Sequence, residues 1–367
     1  MFTMYFAFFN ASVALSALAA LAYFLYTFNQ YRTDQATRQK LRHGKGRARA
    51  NARPVLAMAG AQSGWGRVLR MMPGYVANQS AQMSAAMQRA RGATATAVPL
   101  RSEFDVADNA LPVSIEGQTF GRLGSLLTWL LAFTLAITLV MRAAITGHAP
   151  WTNMYEASIA LAGFLMLAYI YFERRYQTRT LGVGAAGMAL ILLLSAIWVG
   201  NAFGQAEPVA FKKIMPALQD NPILTIHVSM MIVSYAFFIV AFLCGALMLM
   251  QGDAAKPRYA WLPSGEAADE LGYRAVTIGF PLLALGVILG AWWANYAWGH
   301  YWSWDPKETS ALITWLVYAV YLHARGMRGM RGKTMAWLLI GGFAATLFTY
   351  FGVSFIVPGF HSYAGVK

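Results

Sequence analysis

Residues 223–250 read ILTIHVSMMIVSYAFFIVAFLCGALMLM, twenty-eight positions without one Asp, Glu, Lys or Arg. About 20 apolar residues suffice to cross a bilayer as a helix. Backbone N–H and C=O groups find no water in lipid, so a run of this kind must bond internally and coil. The pattern recurs along the chain. Met4–Tyr26, Leu123–Met141, Met154–Phe172, Leu181–Gly200, Ala275–Ala294, Thr309–Ala324 and Met335–Val357 predict seven further spans. The expected fold is an all-α polytopic integral membrane protein of about eight transmembrane helices. Composition agrees: 58% of the 367 residues are hydrophobic and 12% charged, against about 25% charged in soluble domains.

Positive charge predicts the orientation. Basic residues follow the first, third, fifth and seventh runs, including Arg32, Arg174, Lys256 and Arg328. Loops rich in Lys and Arg stay cytoplasmic. Both termini are therefore expected on the outer (periplasmic) side. The first run is too long for a signal-peptide core and no trusted cleavage pattern follows it. Residues 1–28 read as the first span, 29–122 as a basic cytoplasmic segment and 123–367 as the membrane domain.

Between Ala36 and Ser102 stand twelve Lys or Arg and no acid. This density suits anionic lipid better than nucleic acid. Part of the segment reads equally as an amphipathic helix on the inner leaflet or as a disordered tether. The single cysteine, Cys244, rules out a CxxC pair, a disulfide framework or a zinc cage within the chain.

Residues 292–308 read WWANYAWGHYWSWDPKE and hold five of the twelve tryptophans. Interfacial belts enrich Trp and Tyr at span ends, but explain this density poorly. Flat indoles stack on, or line the edge of, an apolar disc, and their N–H groups reach a carboxylate. Asp305, Pro306 and Glu308 have the spacing of an N-cap, a first-turn proline and a capping box. Lys307 suits either an acid or a propionate. Two histidines, His227 and His361, fall at the same predicted membrane face as this stretch. Intramembrane histidines are costly unless partnered, and neutral imidazole is a standard axial ligand of haem iron. His148 and His300 also fall on that side, with no role assigned.

At these residues the chain resembles a known family. WANYAWGHYWSWDPKETSALITWLVYAVYLHAR is similar to the tryptophan-rich WWD signature of the CcsA (ResC) family of cytochrome c biogenesis. IHVSMMIVSYAFF and GFHSYA match that family's flanking histidine segments, and GHAPWTNMYEA its early outer loop. The match runs from about Gly147 to the C-terminus. The system I relatives CcmC and CcmF are expected to continue their tryptophan stretch differently, whereas this chain has Trp304-Asp305-Pro306-Lys307-Glu308. It carries no recognisable copy of the partner subunit CcsB (ResB), so the unfused form is expected.

The resemblance implies a haem-handling subunit of a system II cytochrome c synthase (haem lyase). His227 and His361 would be outer axial ligands of haem b. Trp293, Trp298, Gly299, Trp302, Trp304, Asp305, Pro306, Lys307 and Glu308 would form the WWD surface. His323 would help bind a second haem within the membrane, opposed by a histidine from CcsB. The implied partners are CcsB, haem and an apocytochrome c bearing CxxCH. A haem exporter or chaperone without synthase activity is the alternative. No general acid or base is assigned.

Overall fold

The computed structural model describes residues 1–61, 115–203, 222–253 and 256–357, with side chains described for 1–39, 117–203, 222–252 and 258–357. The chain divides into two compact units, Met1–Gln30 with Ala107–Lys367, and Tyr31–Val106. Its helices are α1 (Phe2–Ala61), α2 (Ile115–Thr146), α3 (Met154–Tyr176), α4 (Leu181–Phe203), α5 (Pro222–Gln251), α6 (Gly265–Trp298), α7 (Pro306–Gly326), α8 (Lys333–Leu347) and α9 (Val353–Ile356). A π-helical turn, Phe348–Gly352, joins α8 to α9. Two-residue strands, Gly252–Asp253 and Lys256–Pro257, pair antiparallel after α5.

Among the described residues seven helices are long and apolar enough to cross a membrane. The remaining long helix, α7, has 21 residues. Lys307, Glu308, His323 and Arg325 crowd its two ends, which leaves only a short apolar middle. The α8 segment reaches span length by continuing through the π turn into α9, giving Lys333–Ile356. Helix α1 runs well past the expected Tyr26, to Ala61. Gln, Arg, Lys and Ala are good helix formers, and Arg38 pairs with Asp34 one turn earlier at 2.9 Å.

Helix α3 is the most enclosed of the membrane-length helices, with 83% of its most apolar stretch buried against 28% for α6. It begins at Asn153, whose side chain accepts from the Glu156 N–H, and ends at Gln177 in the left-handed region. Between α2 and α3, Arg142 Nε bonds Glu156 Oε1 at 2.8 Å, both side chains almost fully buried. The guanidinium also lies 5.4 Å from the Tyr155 ring. An apolar bundle tolerates such charges only as a partnered set. A second ion-pair cluster ties the start of α6 to the end of α7. Arg325 meets Asp269 at 2.8 Å and Glu270 at 3.3 Å.

Helices α5 and α6 pack through a glycine series that hydropathy and motif spacing did not single out. Gly272, Gly279 and Gly286 recur every seven residues on α6. A Cβ at Gly279 would sit 2.8 Å from the Phe238 ring, and one at Gly286 2.7 Å from Met231 Sδ. Small residues let helix backbones approach closely in lipid, where van der Waals packing replaces the hydrophobic drive. Across this seam Ser234 Oγ donates to Gly279 O at 2.9 Å. The close approach sets up the site at the far end of the same two helices.

Candidate functional site

One turn into α5, His227 meets α6 at the end of the glycine series. Its Nδ1 lies 2.6 Å from Gly286 O. A carbonyl only accepts, so Nδ1 carries the proton and, in the neutral ring, Nε2 carries the lone pair. Histidines that bind metals are usually oriented in this way, with the other N–H given to a carbonyl or carboxylate. Gly290, one turn on, is what admits the ring. A Cβ there would lie 2.5 Å from His227 Cε1 and 2.8 Å from Nδ1.

His227 lines a cavity of about 250 Å³. Its walls come from the α2–α3 loop, α5, α6, the start of α7 and the α8–α9 region, including Trp151, Trp293, Trp302 and Tyr350. Lys307 and Glu308 also face it. The space falls below the roughly 300–1,000 Å³ of ligand pockets that enclose their guests. A guest larger than this space would leave part of itself outside.

The tryptophan stretch divides by burial. Trp293 is 2% exposed, and Trp298 meets its edge at 4.9 Å between ring centroids. Trp302 reaches the cavity wall and holds Trp304 edge-on at 5.8 Å. Trp304 itself is 67% exposed. Gly299 ends α6 at φ 81°, the left-handed cap for which glycine is suited. Trp304 stands at φ 59°, an uncommon state for a bulky residue.

The first turn of α7 holds that conformation. Asp305 caps α7 and forms the expected capping box with Glu308, with Pro306 in the first turn. Glu308 Oε2 accepts from Ser303 N at 2.8 Å and from Asp305 N at 3.2 Å. These acids therefore serve the loop as structural acceptors. Lys307 Nζ donates to Ser354 Oγ at 3.2 Å. It precedes the apolar run of α7, and burial lowers its ammonium pKa to about 8, opposed by the Asp305 carboxylate. A cation beside a hydroxyl in an apolar cavity favours an anionic group on the guest. Trp151 Nε1, also at this cavity, is buried without a hydrogen-bond partner among the described residues.

Of the expected ligands, His227 stands in the cavity. His361 lies outside the described residues. His323 lies elsewhere, exposed near the C-terminal end of α7. It shares an outward face with Ile313, Leu316 and Val320.

A family model described as cytochrome C assembly protein matches residues 151–361. The chain is 35% identical over 286 residues to the cytochrome c biogenesis protein CcsA of Porphyra purpurea, covering 66% of this chain and 87% of the relative. It is 35% identical over 289 residues to CcsA of Prochlorococcus marinus (strain MIT 9312), covering 70% and 90%. With CcsA of Chlamydomonas reinhardtii the identity is 39% over 236 residues, covering 62% and 65%.

The chain belongs to the CcsA family of cytochrome c assembly proteins. Membership carries a role in cytochrome c biogenesis, and with it haem handling in general. Of the residues singled out from sequence, His227, Trp293, Trp302, Lys307 and Glu308 line the cavity of this CcsA-family chain. Gly286, Gly290 and Trp151 were missed. The seven-residue glycine spacing along α6 was the available signal for Gly286, whereas Gly290, four residues on, falls outside that series. Trp151 stands in GHAPWTNMYEA, a segment quoted only for the family resemblance, and no spacing joined it to His227 or to residues 292–308.

Proposed function

We propose that this chain is the haem-handling subunit of a system II cytochrome c synthase and presents haem b at its outer cavity to the CxxCH thiols of an apocytochrome c. The observation that carries the reading is the clamped His227. Its ring is fixed by Gly286 O and Gly290 in an apolar cavity walled by Trp293 and Trp302. That is a site for a flat apolar molecule with an imidazole-binding metal. Lys307 and the Trp151 indole N–H are suited to the propionates, as donors to carboxylates inside a poorly solvated space.

In this reading His361 supplies the second axial imidazole, as the family resemblance implies, and the macrocycle edge projects from the cavity. Each thiol adds its sulfur and its proton across one vinyl double bond, so the step consumes no oxidant and releases no leaving group. The protein's contribution is positioning, which raises the effective concentration of thiol at vinyl. The remaining WWD residues act by shaping this surface. Trp298, Gly299 and Trp304 form its outer part, and Asp305, Pro306 and Glu308 hold the turn.

The proposed topology puts the cavity and both termini on the periplasmic side of the bacterial inner membrane, with the basic segment on anionic lipid. His323 would receive haem nearer the cytoplasm. Its exposure on an apolar helix face supports a second subunit there, since a lone imidazole facing lipid is costly. CcsB, with an opposing histidine, is the proposed occupant.

The test compares wild type with His227→Ala and His361→Ala, each co-purified with the partner subunit. Haem content and covalent holocytochrome c yield are measured. Loss of haem and of covalent yield in His227→Ala, and loss of covalent yield in His361→Ala, support the ligand assignments, and unchanged values in both variants refute them. In the purified complex, retained haem with no covalent product would establish the exporter or chaperone reading instead.

A further inference from the structure

A second histidine lines the outer cavity. His148 lies in the α2–α3 loop, and the cavity wall includes both it and His227. Helix α2 ends at Thr146, and Gly147 at φ 73° turns the chain so that His148 faces inward. A Cβ at Gly147 would meet no neighbour, so the backbone conformation, not crowding, calls for glycine there.

The hydrogen bonds of His148 select one tautomer. Nδ1 lies 2.9 Å from Ala149 O, which only accepts. It also lies 3.0 Å from Thr152 Oγ1. That hydroxyl gives its own proton to Glu156 Oε2 at 2.8 Å, so it too accepts from the ring. Both partners therefore require the proton on Nδ1. In the neutral ring Nε2 carries the lone pair, and among the described residues it has no hydrogen-bond partner.

Behind this pair stands a fixed charge set. Glu156 is held by the buried Arg142 at 2.8 Å and by the Thr152 N–H at 3.1 Å. The resulting chain runs imidazole, hydroxyl, carboxylate, guanidinium. A carboxylate placed behind an imidazole, directly or through a hydroxyl, fixes the ring and makes the opposite nitrogen a better donor to metal. His227 reaches the same state by a different route, through Gly286 O. Two imidazoles with the same proton placement thus line one cavity.

We propose that His148 is a further iron ligand of the outer site. It would occupy an axial position of haem when His361 or the incoming CxxCH histidine does not. In the exchange the iron bond to the departing nitrogen breaks and the bond to His148 Nε2 forms, with no change of protonation or oxidation state. Haem is then held by two imidazoles before and during delivery. The inference rests on the assignment of the outer cavity as a haem site.

The test uses the full chain in detergent, titrated with ferric haem and followed by its absorption spectrum. Wild type, His361→Ala, His361→Ala with His148→Gln, and His361→Ala with His148→Met are compared. The expected result is a low-spin six-coordinate spectrum in His361→Ala that is lost when His148 is also Gln. With Met at position 148 the spectrum shifts to that of a histidine–methionine pair, which a packing role would not produce. Bound haem that turns high-spin in His361→Ala alone overturns the proposal while leaving the haem site standing. Identical spectra in the Gln and Met double variants also overturn it. Failure of wild type to bind haem at all, or binding indifferent to His227→Ala, overturns the site reading itself and this inference with it.

Discussion

Gly290→Ala tests the geometry that the functional reading depends on. The new Cβ would lie 2.5 Å from His227 Cε1, where ordinary contact begins at 3.4 Å, so the ring must retreat by about 0.9 Å. The retreat stretches the 2.6 Å bond from Nδ1 to Gly286 O. A net hydrogen bond is worth about 1 kcal/mol, and disturbing the support of a metal-binding histidine typically costs roughly 10- to 100-fold in affinity. The expected outcome is a folded protein whose haem Kd rises by at least about tenfold. Haem titration of the purified chain, read as the low-spin absorption band, measures it. Gly341→Ala on α8 is the control. Its Cβ would meet no neighbour, so affinity should change by less than about threefold, the scale of a surface substitution. Unchanged affinity and spectrum in Gly290→Ala would refute the claim that the clamped His227 is the iron ligand.

Lys307→Met should weaken haem binding and remove its pH dependence above neutrality. The wild-type ammonium, lowered to about 8, is charged below that pH and loses its proton above it, so affinity for a dicarboxylate falls as pH rises through 8. Binding titrations from pH 7 to 9 decide the matter. Glu156→Gln leaves Arg142 buried without its counter-charge, and should destabilise the protein by about 3–5 kcal/mol, read as a lower thermal midpoint in detergent. Asp305→Ala removes the cap of α7 and should cost about 1 kcal/mol, with a haem spectrum changed less than in Gly290→Ala. His323→Ala should leave haem at the outer site unaltered and lower the total haem of the two-subunit complex, measured by pyridine haemochrome content.

The apolar runs were sufficient to predict an all-helical membrane protein, because span length and backbone satisfaction are properties of each segment alone. The capping box at Asp305 and Glu308 was legible for the same reason: its partners stand three residues apart. Helix ends were less so. Helix α1 continues beyond its apolar run because polar helix formers extend it, and α8 passes through a π turn that no residue pattern announced. His227 was legible as an imidazole inside a span, and the tryptophans as an excess that an interfacial belt explains poorly.

The sequence by itself thus determined the all-helical membrane class, the residue types available to line the cavity and the family. Tertiary structure alone decided which of those groups meet. His227 gains its tautomer from a carbonyl 59 residues away, and it fits only because Gly290 lacks a Cβ. His148 enters the same cavity through a loop whose place depends on the buried Arg142–Glu156 pair. Hydropathy and charge are read along one dimension. Proton placement, burial and ring clearance are set by neighbours in space, so these came only with the fold.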